Sequence, residues 1–190
     1  MGVFVNPLWI NQNLLNKVNE VDPDAIIFFK GELISPKVLK ILSENRDTYL
    51  LYPDTFKFKP LSRRELKYFK SVFTASNNKS LYYELDAKRV TTVPWACDPD
   101  FHKRIDVPKK NNVSFIGTAY LERMRIIKSL PEVDVFGNYW YGMGKHSHSS
   151  IYGYDYVKTI NESRINLNLQ AKISIYADVP TMRTFELAGC

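Results

Sequence analysis

Two carboxylates near the end of the sequence have a spacing that suits a phosphorylated sugar ligand. Asp178 precedes Pro180 and a helix that we expect from about Thr181, and Glu186 lies within that helix. Free amides at a helix start, with Arg183 beside them, favour an anion. A carboxylate at Glu186 can accept hydrogen bonds from vicinal hydroxyls, so the pattern fits a sugar nucleotide. The open alternative is that Arg183 and Glu186 form an ordinary helix ion pair three residues apart.

A glycine turn in the middle of the sequence is a second candidate for phosphate binding. Gly117 and Thr118 follow the apolar run 113–116 and lead into a helical pattern that carries Arg123. Glycine lets the backbone approach phosphate oxygens closely, and an arginine supplies hydrogen-bond donors and charge. We therefore predict that Gly117, Thr118 and Arg123 contact a phosphate. Because the other glycines of a dinucleotide fingerprint are missing, an ordinary strand–helix turn stays the alternative.

Two acidic residues in the first half are candidates for a general base. Glu32 follows one predicted strand and Asp54 follows the next, so both carboxylates are placed to point into a cleft. A base for an acceptor hydroxyl has to come from such a place. The alternative for each is an ordinary surface acid, and Asp54 also fits a turn with Pro53.

The histidine and cysteine pattern does not predict a metal site. His146 and His148 have a spacing that would share one face of a strand, but they lie in a Gly- and Ser-rich stretch with no carboxylate or cysteine nearby in sequence. Cys97 and Cys190 are too few and too far apart for a disulfide framework, and they lack the paired spacing of a zinc site. We expect no bound metal.

Composition and charge exclude several classes of protein. The 190 residues include 26 Lys and Arg against 20 Asp and Glu, a net charge of +6, and 45% are apolar, enough for a packed core. Basic residues alternate with acids in short clusters, which fits an ordinary solvated surface first and an anionic ligand second, with a small phosphate compound at least as favoured as a polynucleotide. The longest apolar run, 25–29, is far shorter than a membrane span, and the first residues lack a basic stretch followed by a long apolar run, so we expect no secretion signal. We expect a soluble cytoplasmic protein.

Short apolar strands alternate with amphipathic helical segments along the whole chain. This pattern is typical of βα units around parallel sheets, whose ligands bind beyond the carboxyl ends of the strands. A proline-rich stretch without periodicity marks a domain junction. We predict an α/β fold with two halves around a cleft: residues 1–97, a linker at 98–112, and residues 113–190. The predicted strands are 25–29, 49–52, 71–75, 90–93, 113–116, 133–136 and 165–169.

Several segments of the sequence resemble a known family. The segment "SVFTASNNKSLYYELDAKRVTTVPWACDPDFH" resembles the end of the N-terminal domain and the linker of GT-B glycosyltransferases. The phrases "NNVSFIGTAYLERMRIIKSL", "VDVFGNYW", "YVKTINESRINLNL" and "TMRTFELAGC" are similar to the CgeB and spore-protein YkvP branch of those enzymes. The resemblance covers roughly residues 22–190, and "RTFELAGC" is its most specific part.

The resemblance implies a GT-B-like fold of two Rossmann-like halves that transfers a sugar from a nucleotide diphosphate sugar, without a metal or another cofactor. The second domain would hold the donor, and an unknown acceptor would face the first. Glu186 matches the glutamate that binds the donor ribose, and Asp178 stands where related enzymes have the first Glu of an E-x7-E motif. Gly117 and Arg123 match the phosphate-side loop, and Arg183 lies at the corresponding helix start.

Two rival functions stay open at this stage. The first is a GT-B-like binding or structural protein without turnover, such as a coat or surface-assembly component, and the second is a nucleic-acid-binding module that uses the +6 charge. Length also matters, because a complete GT-B enzyme needs two full domains, roughly 300 residues by usual domain sizes. We therefore expect a fragment or a naturally shortened member that lacks both ends of the template.

Overall fold

The protein consists of two compact units, Met1–Pro94 and Trp95–Cys190. The computed structural model describes residues 6–53, 65–130, 132–170 and 180–190. Each unit contains one four-stranded parallel sheet with helices, so the predicted α/β class with two Rossmann-like halves is confirmed. The cleft and the separate functions of the halves stay predictions. No helix within the described ranges is both long and apolar enough to cross a membrane.

The first unit adds its strands in chain order. Its sheet has the order β1-β2-β3-β4, and all neighbouring strands are parallel. The buried core lies between this sheet and the helices that pack on it. The elements are α1 (Pro7–Val21), β1 (Ala25–Phe29), α2 (Pro36–Asn45), β2 (Asp47–Tyr52), a 3-10 turn (Leu66–Tyr68), β3 (Ser71–Thr74), α3 (Ser80–Tyr83) and β4 (Val90–Thr92).

Local sequence signals account for the start of both long helices of this unit. The Ser35 hydroxyl accepts the Val38 N–H at 3.3 Å, and a proline occupies the first helical position of α2. The α1 helix begins in the same way, with Asn6 as its N-cap and a proline next. Asn11 then fixes α1 to the loop before α2, because its amide donates to the Leu33 carbonyl at 3.0 Å.

The second unit adds its strands in a different order. Its sheet runs β7-β6-β5-β8, so β8 returns to the side of β5 that faces away from β6. All its paired strands are parallel. The elements are β5 (Asn111–Ile116), α4 (Leu121–Lys128), β6 (Val133–Phe136), a 3-10 turn (Gly144–His146), β7 (Ser147–His148), α5 (Gly153–Glu162), β8 (Ser163–Asn166) and α6 (Met182–Gly189).

Strand β8 begins earlier than the apolar pattern predicts. We expected it at 165–169, but its ladder with β5 already pairs Asn111 with Ser163. The cause is that α5 runs directly into the strand, where the Ser163 hydroxyl donates to the Thr159 carbonyl at 2.7 Å. The leucines that suggested a later strand, Leu167 and Leu169, pack against the core instead.

The residues predicted as a linker lie within the second unit and are bound to the end of α5. Asn161, which is buried, accepts the Ile105 N–H at 3.0 Å and donates to the Lys103 carbonyl at 3.1 Å. The Lys109 ammonium donates to the carbonyls of Asn161 and Ser163 at 2.6 and 2.9 Å. A cation at the C-terminal end of a helix also complements the helix dipole. These bonds hold the segment before β5 against α5.

Candidate functional site

A cavity of about 460 Å³ lies in the second unit, at the carboxyl ends of β5 and β6. Its lining includes all the residues that the sequence predicted to bind a ligand: Gly117, Thr118, Arg123, Arg183 and Glu186. The structure therefore brings together residues from two separate stretches of the sequence. That they bind a nucleotide sugar stays a prediction.

Two glycines that face each other form the floor of the turn after β5. Gly117 donates its N–H to the Phe136 carbonyl at 2.8 Å, and its own carbonyl accepts the Trp140 indole N–H at 2.7 Å. A Cβ at Gly137 would lie 2.3 Å from the Gly117 carbonyl oxygen, so the two backbones pack too closely for a side chain. Both glycines have φ near +154°, a conformation that other residues rarely adopt. The turn needs glycine at both positions.

Arg123 supports this turn from the first part of α4. Its side chain is buried at 7% exposure, donates through Nη1 to the Thr118 carbonyl at 3.0 Å, and donates through Nε to the Leu169 carbonyl at 3.0 Å. The guanidinium lies 5.3 Å from the centre of the Phe115 ring. Burial, together with repulsion from Arg183, lowers the pKa of the Arg123 guanidinium. The group still keeps its charge at neutral pH, because arginine is not deprotonated in proteins.

Arg183 brings a second positive charge to the same ring. Its guanidinium lies 5.4 Å from the centre of the Phe115 ring, so Phe115 has both arginines within cation–π distance. The Arg183 Nε is buried and has no hydrogen-bond partner among the described residues, and the same holds for the Thr181 hydroxyl just before α6. Two like charges that share a half-buried cavity, with a donor unused, favour an anionic ligand.

Two side chains from other parts of the second unit lie against the Glu186 carboxylate. Its Oε2 accepts the Tyr156 hydroxyl at 2.7 Å, and its Oε1 lies 3.8 Å from His102 Nε2. Burial is the main cause that raises the pKa of the Tyr156 phenol, and the hydrogen bond to Glu186 adds to it, so the phenol is a neutral donor. In the part of the chain that the structure describes, Glu186 interacts with Tyr156 and His102 and forms no ion pair with Arg183. The alternative of an ordinary ion pair between Arg183 and Glu186 along the helix is therefore not observed.

Of the three predicted catalytic carboxylates, Glu32 is the one that lies among the described residues. Glu32 lies in the first unit, where its exposed carboxylate accepts the Tyr52 hydroxyl at 3.0 Å, next to the carboxyl ends of β1 and β2. Asp54 and Asp178 lie outside the described residues. A catalytic role for Glu32, Asp54 and Asp178 stays a prediction.

The histidines of the Gly- and Ser-rich stretch have a carboxylate neighbour that the local sequence does not show. Asp134 on β6 lies 3.3 Å from His146 Nδ1 and 3.1 Å from His148 Nε2, because β7 pairs with β6. The stretch therefore contains a short parallel strand where we expected only a loop. Within the described ranges, no group of three or more His, Cys, Asp or Glu side chains is arranged to hold a metal ion.

Two residues that line the cavity, His102 and Tyr156, were not among the predicted ligand-binding residues. Both line the cavity and both approach the Glu186 carboxylate, one before β5 and the other on α5. Neither belongs to a motif with a known chemical role. Only the helical register of α5, in which Val157 and Ile160 are buried, gives Tyr156 its place beside the cavity.

Comparison with known proteins finds one family whose model matches part of the second unit. Residues 119–190 match a family model described as glycosyl transferase-like. This matched part contains Arg123, Arg183 and Glu186, and it begins just after the Gly117 turn. No curated protein matches the chain. The matched part of the second unit is therefore similar to glycosyl transferase-like domains, and the two parallel sheets are those of Rossmann-like halves. The narrower CgeB and YkvP assignment stays a prediction.

Proposed function

We propose that the second unit binds the donor of a glycosyl transfer, a nucleoside diphosphate sugar, and that the transfer needs no metal ion. The observation that carries this proposal is the shared cavity, which has two guanidiniums, a glycine turn and a carboxylate in its lining. Its volume of about 460 Å³ falls within the usual range of small-molecule sites, about 300–1,000 Å³.

Each part of the cavity fits one part of such a donor. Arg123 and Arg183 supply the positive charge that a diphosphate needs, and Arg183 Nε is a buried donor without a partner among the described residues. The Gly117 turn allows phosphate oxygens to approach the backbone. The Glu186 carboxylate can accept hydrogen bonds from the two hydroxyls of a ribose, while Tyr156 fixes its orientation.

The chemistry that follows is attack of an acceptor oxygen on the anomeric carbon of the sugar. The bond between that carbon and the diphosphate breaks, and the diphosphate leaves with the electron pair. Positive groups already in place at the diphosphate stabilise the charge that develops there. The acceptor hydroxyl has to lose a proton, and Glu32, Asp54 and Asp178 are the candidate bases. The acceptor itself is a glycan, a protein or a small molecule.

The test is a panel of nucleotides followed by thermal unfolding. ADP, GDP, UDP and TDP, each alone and as a sugar conjugate, should raise the melting temperature of the wild-type protein in at least one case, because a ligand of the folded state stabilises it. Glu186→Ala should weaken that shift. Glu84→Ala, an exposed acid in the first unit, is the matched control and should leave it unchanged.

A flat response of the wild-type protein to every nucleotide would overturn the proposal. Binding without sugar transfer and without donor hydrolysis would instead support a GT-B-like binding or structural protein. Affinity for DNA or RNA that falls steeply with salt would support the nucleic-acid alternative.

A further inference from the structure

His102 is the residue of the cavity whose surroundings the proposed function does not yet explain. Its side chain is 14% exposed and its Nε2 faces Glu186 Oε1 at 3.8 Å. The imidazole is edge-on to the Phe101 ring, at 5.0 Å between ring centres, and to the Tyr156 ring, at 6.3 Å. Two aromatic rings therefore fix the plane in which Nε2 approaches the carboxylate.

The other ring nitrogen indicates which tautomer the site favours. His102 Nδ1 is buried and has no hydrogen-bond partner among the described residues. A proton on Nδ1 would be a buried donor without an acceptor, whereas a proton on Nε2 faces a carboxylate oxygen. The neutral imidazole is therefore expected to carry its proton on Nε2 and to direct it at Glu186.

The backbone keeps His102 and Glu186 at this separation. A Cβ at Gly189 would lie only 2.7 Å from the His102 carbonyl oxygen, so the last turn of α6 packs directly on the His102 backbone. Glu186 lies one turn earlier on the same helix. The carboxylate is thus fixed on one side by Tyr156, through Oε2, and faces His102 on the other, through Oε1.

We propose that His102 is a positioning residue that orients Glu186 Oε1 toward the ribose hydroxyls of the ligand. The proposal rests on the proposed function, since it assigns the imidazole to the same nucleotide site. The contact is longer than a hydrogen bond in the ligand-free protein, and it would shorten when the carboxylate turns to accept the hydroxyls. His102 would then determine how strongly the site distinguishes a ribose from a sugar that lacks both hydroxyls.

The experiment compares ribose with dideoxyribose ligands. Dissociation constants of ADP, GDP and UDP, and of their 2′,3′-dideoxy analogues, are measured for the wild-type protein, His102→Leu and His102→Gln. We expect the preference of the wild-type protein for ribose to fall about fivefold in His102→Leu, with the dideoxy affinity changed less than about twofold. His102→Gln should keep most of the preference, because its amide N–H can take the place of Nε2–H.

The outcomes separate this proposal from the one on which it rests. If no nucleoside diphosphate binds the wild-type protein, the proposed function is wrong and the role of His102 with it. If the wild-type protein binds nucleotides but His102→Leu keeps the whole preference for ribose, only the role of His102 is wrong. An equal loss of ribose and dideoxy ligands in His102→Leu would indicate a merely structural residue and would also overturn it. His102→Gln decides the question even if His102→Leu does not fold, because loss of the preference for ribose in a folded His102→Gln protein would also overturn the role of His102.

Discussion

The two units have the same kind of sheet but differ in the order of its strands. In the first unit each new strand is added on the same side, giving β1-β2-β3-β4, whereas in the second β8 returns to the opposite side of β5. Ligands of open α/β sheets bind beyond the carboxyl ends of the strands, at the point where this order reverses. The cavity lies at the carboxyl end of β5, at Gly117, which is that point. Among the described strands, the first unit contains no such reversal.

The chemistry at the strand ends differs even where the local bonds are alike. Each unit has a tyrosine hydroxyl that donates to a glutamate, Tyr52 to Glu32 at 3.0 Å and Tyr156 to Glu186 at 2.7 Å. The Glu32 carboxylate is exposed, whereas Glu186 lines a cavity together with Arg183. The same kind of pair therefore has an exposed carboxylate in one unit and lines the cavity in the other. A fold becomes a site only through the residues placed around it.

The largest difference between the units is expected at their strand-end glycines. Gly137→Ala would place a Cβ 2.3 Å from the Gly117 carbonyl oxygen. Backbone has to move, so we expect the free energy of unfolding to fall by more than about 3 kcal/mol and nucleotide binding to be lost. Gly31→Ala is the matched change in the first unit, because Gly31 also has a positive φ, +70°, but its nearest neighbouring atom would be 3.5 Å away. It should cost only about 1–2 kcal/mol, the usual penalty for a left-handed alanine.

Urea unfolding of both variants, with nucleotide binding measured in parallel, checks this prediction. Equal losses of stability in the two variants would mean that the close contact between Gly117 and Gly137 is not what the second unit depends on.

Local signals in the sequence were sufficient for much of the fold. Ser35 and Pro36 mark the start of α2 by a cap and a favoured proline, and Gly117 marks the end of β5 by its position after an apolar run. The family resemblance and the expectation that ligands bind beyond the ends of the strands predicted Arg123, Arg183 and Glu186. The structure brings these three residues to one cavity. Each of these signals lies within a short segment of the sequence, so it is visible without the fold.

The features that were missed depend on contacts between distant residues. Helix α1 is weakly amphipathic and is anchored through Asn11, whose partners lie in another loop. Strand β7 has two residues, and only its pairing with β6 makes it a strand. His102 and Tyr156 meet Glu186 through the packing of α5 and α6, and no local pattern encodes that meeting.

A smaller difference is expected from the removal of one positive charge in each unit. Arg183→Ala should weaken the binding of a nucleoside diphosphate by about tenfold to a hundredfold, the usual worth of one or two charge-assisted hydrogen bonds. The loss should shrink as salt is added, because screening weakens the wild-type interaction. Arg89→Ala removes an exposed arginine from the first unit and should leave the affinity unchanged.

Calorimetric titration at low and high salt gives both quantities. If Arg89→Ala weakens binding as much as Arg183→Ala does, then net charge rather than the cavity holds the nucleotide, and the contrast between the units disappears.

The smallest difference concerns the two tyrosine–glutamate pairs. Tyr156→Phe removes the donor to Glu186 Oε2 and should weaken nucleotide binding by about three- to tenfold, because the carboxylate loses one of the groups that orient it. Tyr52→Phe removes the matching donor to Glu32 and should change the affinity less than about twofold. Similar losses in both variants would contradict the assignment of the site to the second unit.

The same two variants give a second measurement, at high pH. Burial and the bond to Glu186 raise the pKa of Tyr156 above the ordinary tyrosine value of about 10. Above pH 10 the unfolded chain has lost this proton while the folded protein keeps it, so the free energy of unfolding falls as the pH rises. The fall should be steeper in the wild-type protein than in Tyr156→Phe, by up to about 1.4 kcal/mol per pH unit. Tyr52→Phe keeps the Tyr156 phenol, so its free energy of unfolding should still show the decrease with pH that this phenol causes. Parallel curves for the wild-type protein and Tyr156→Phe between pH 9 and 11 would mean that the phenol is not held at Glu186 as the structure shows.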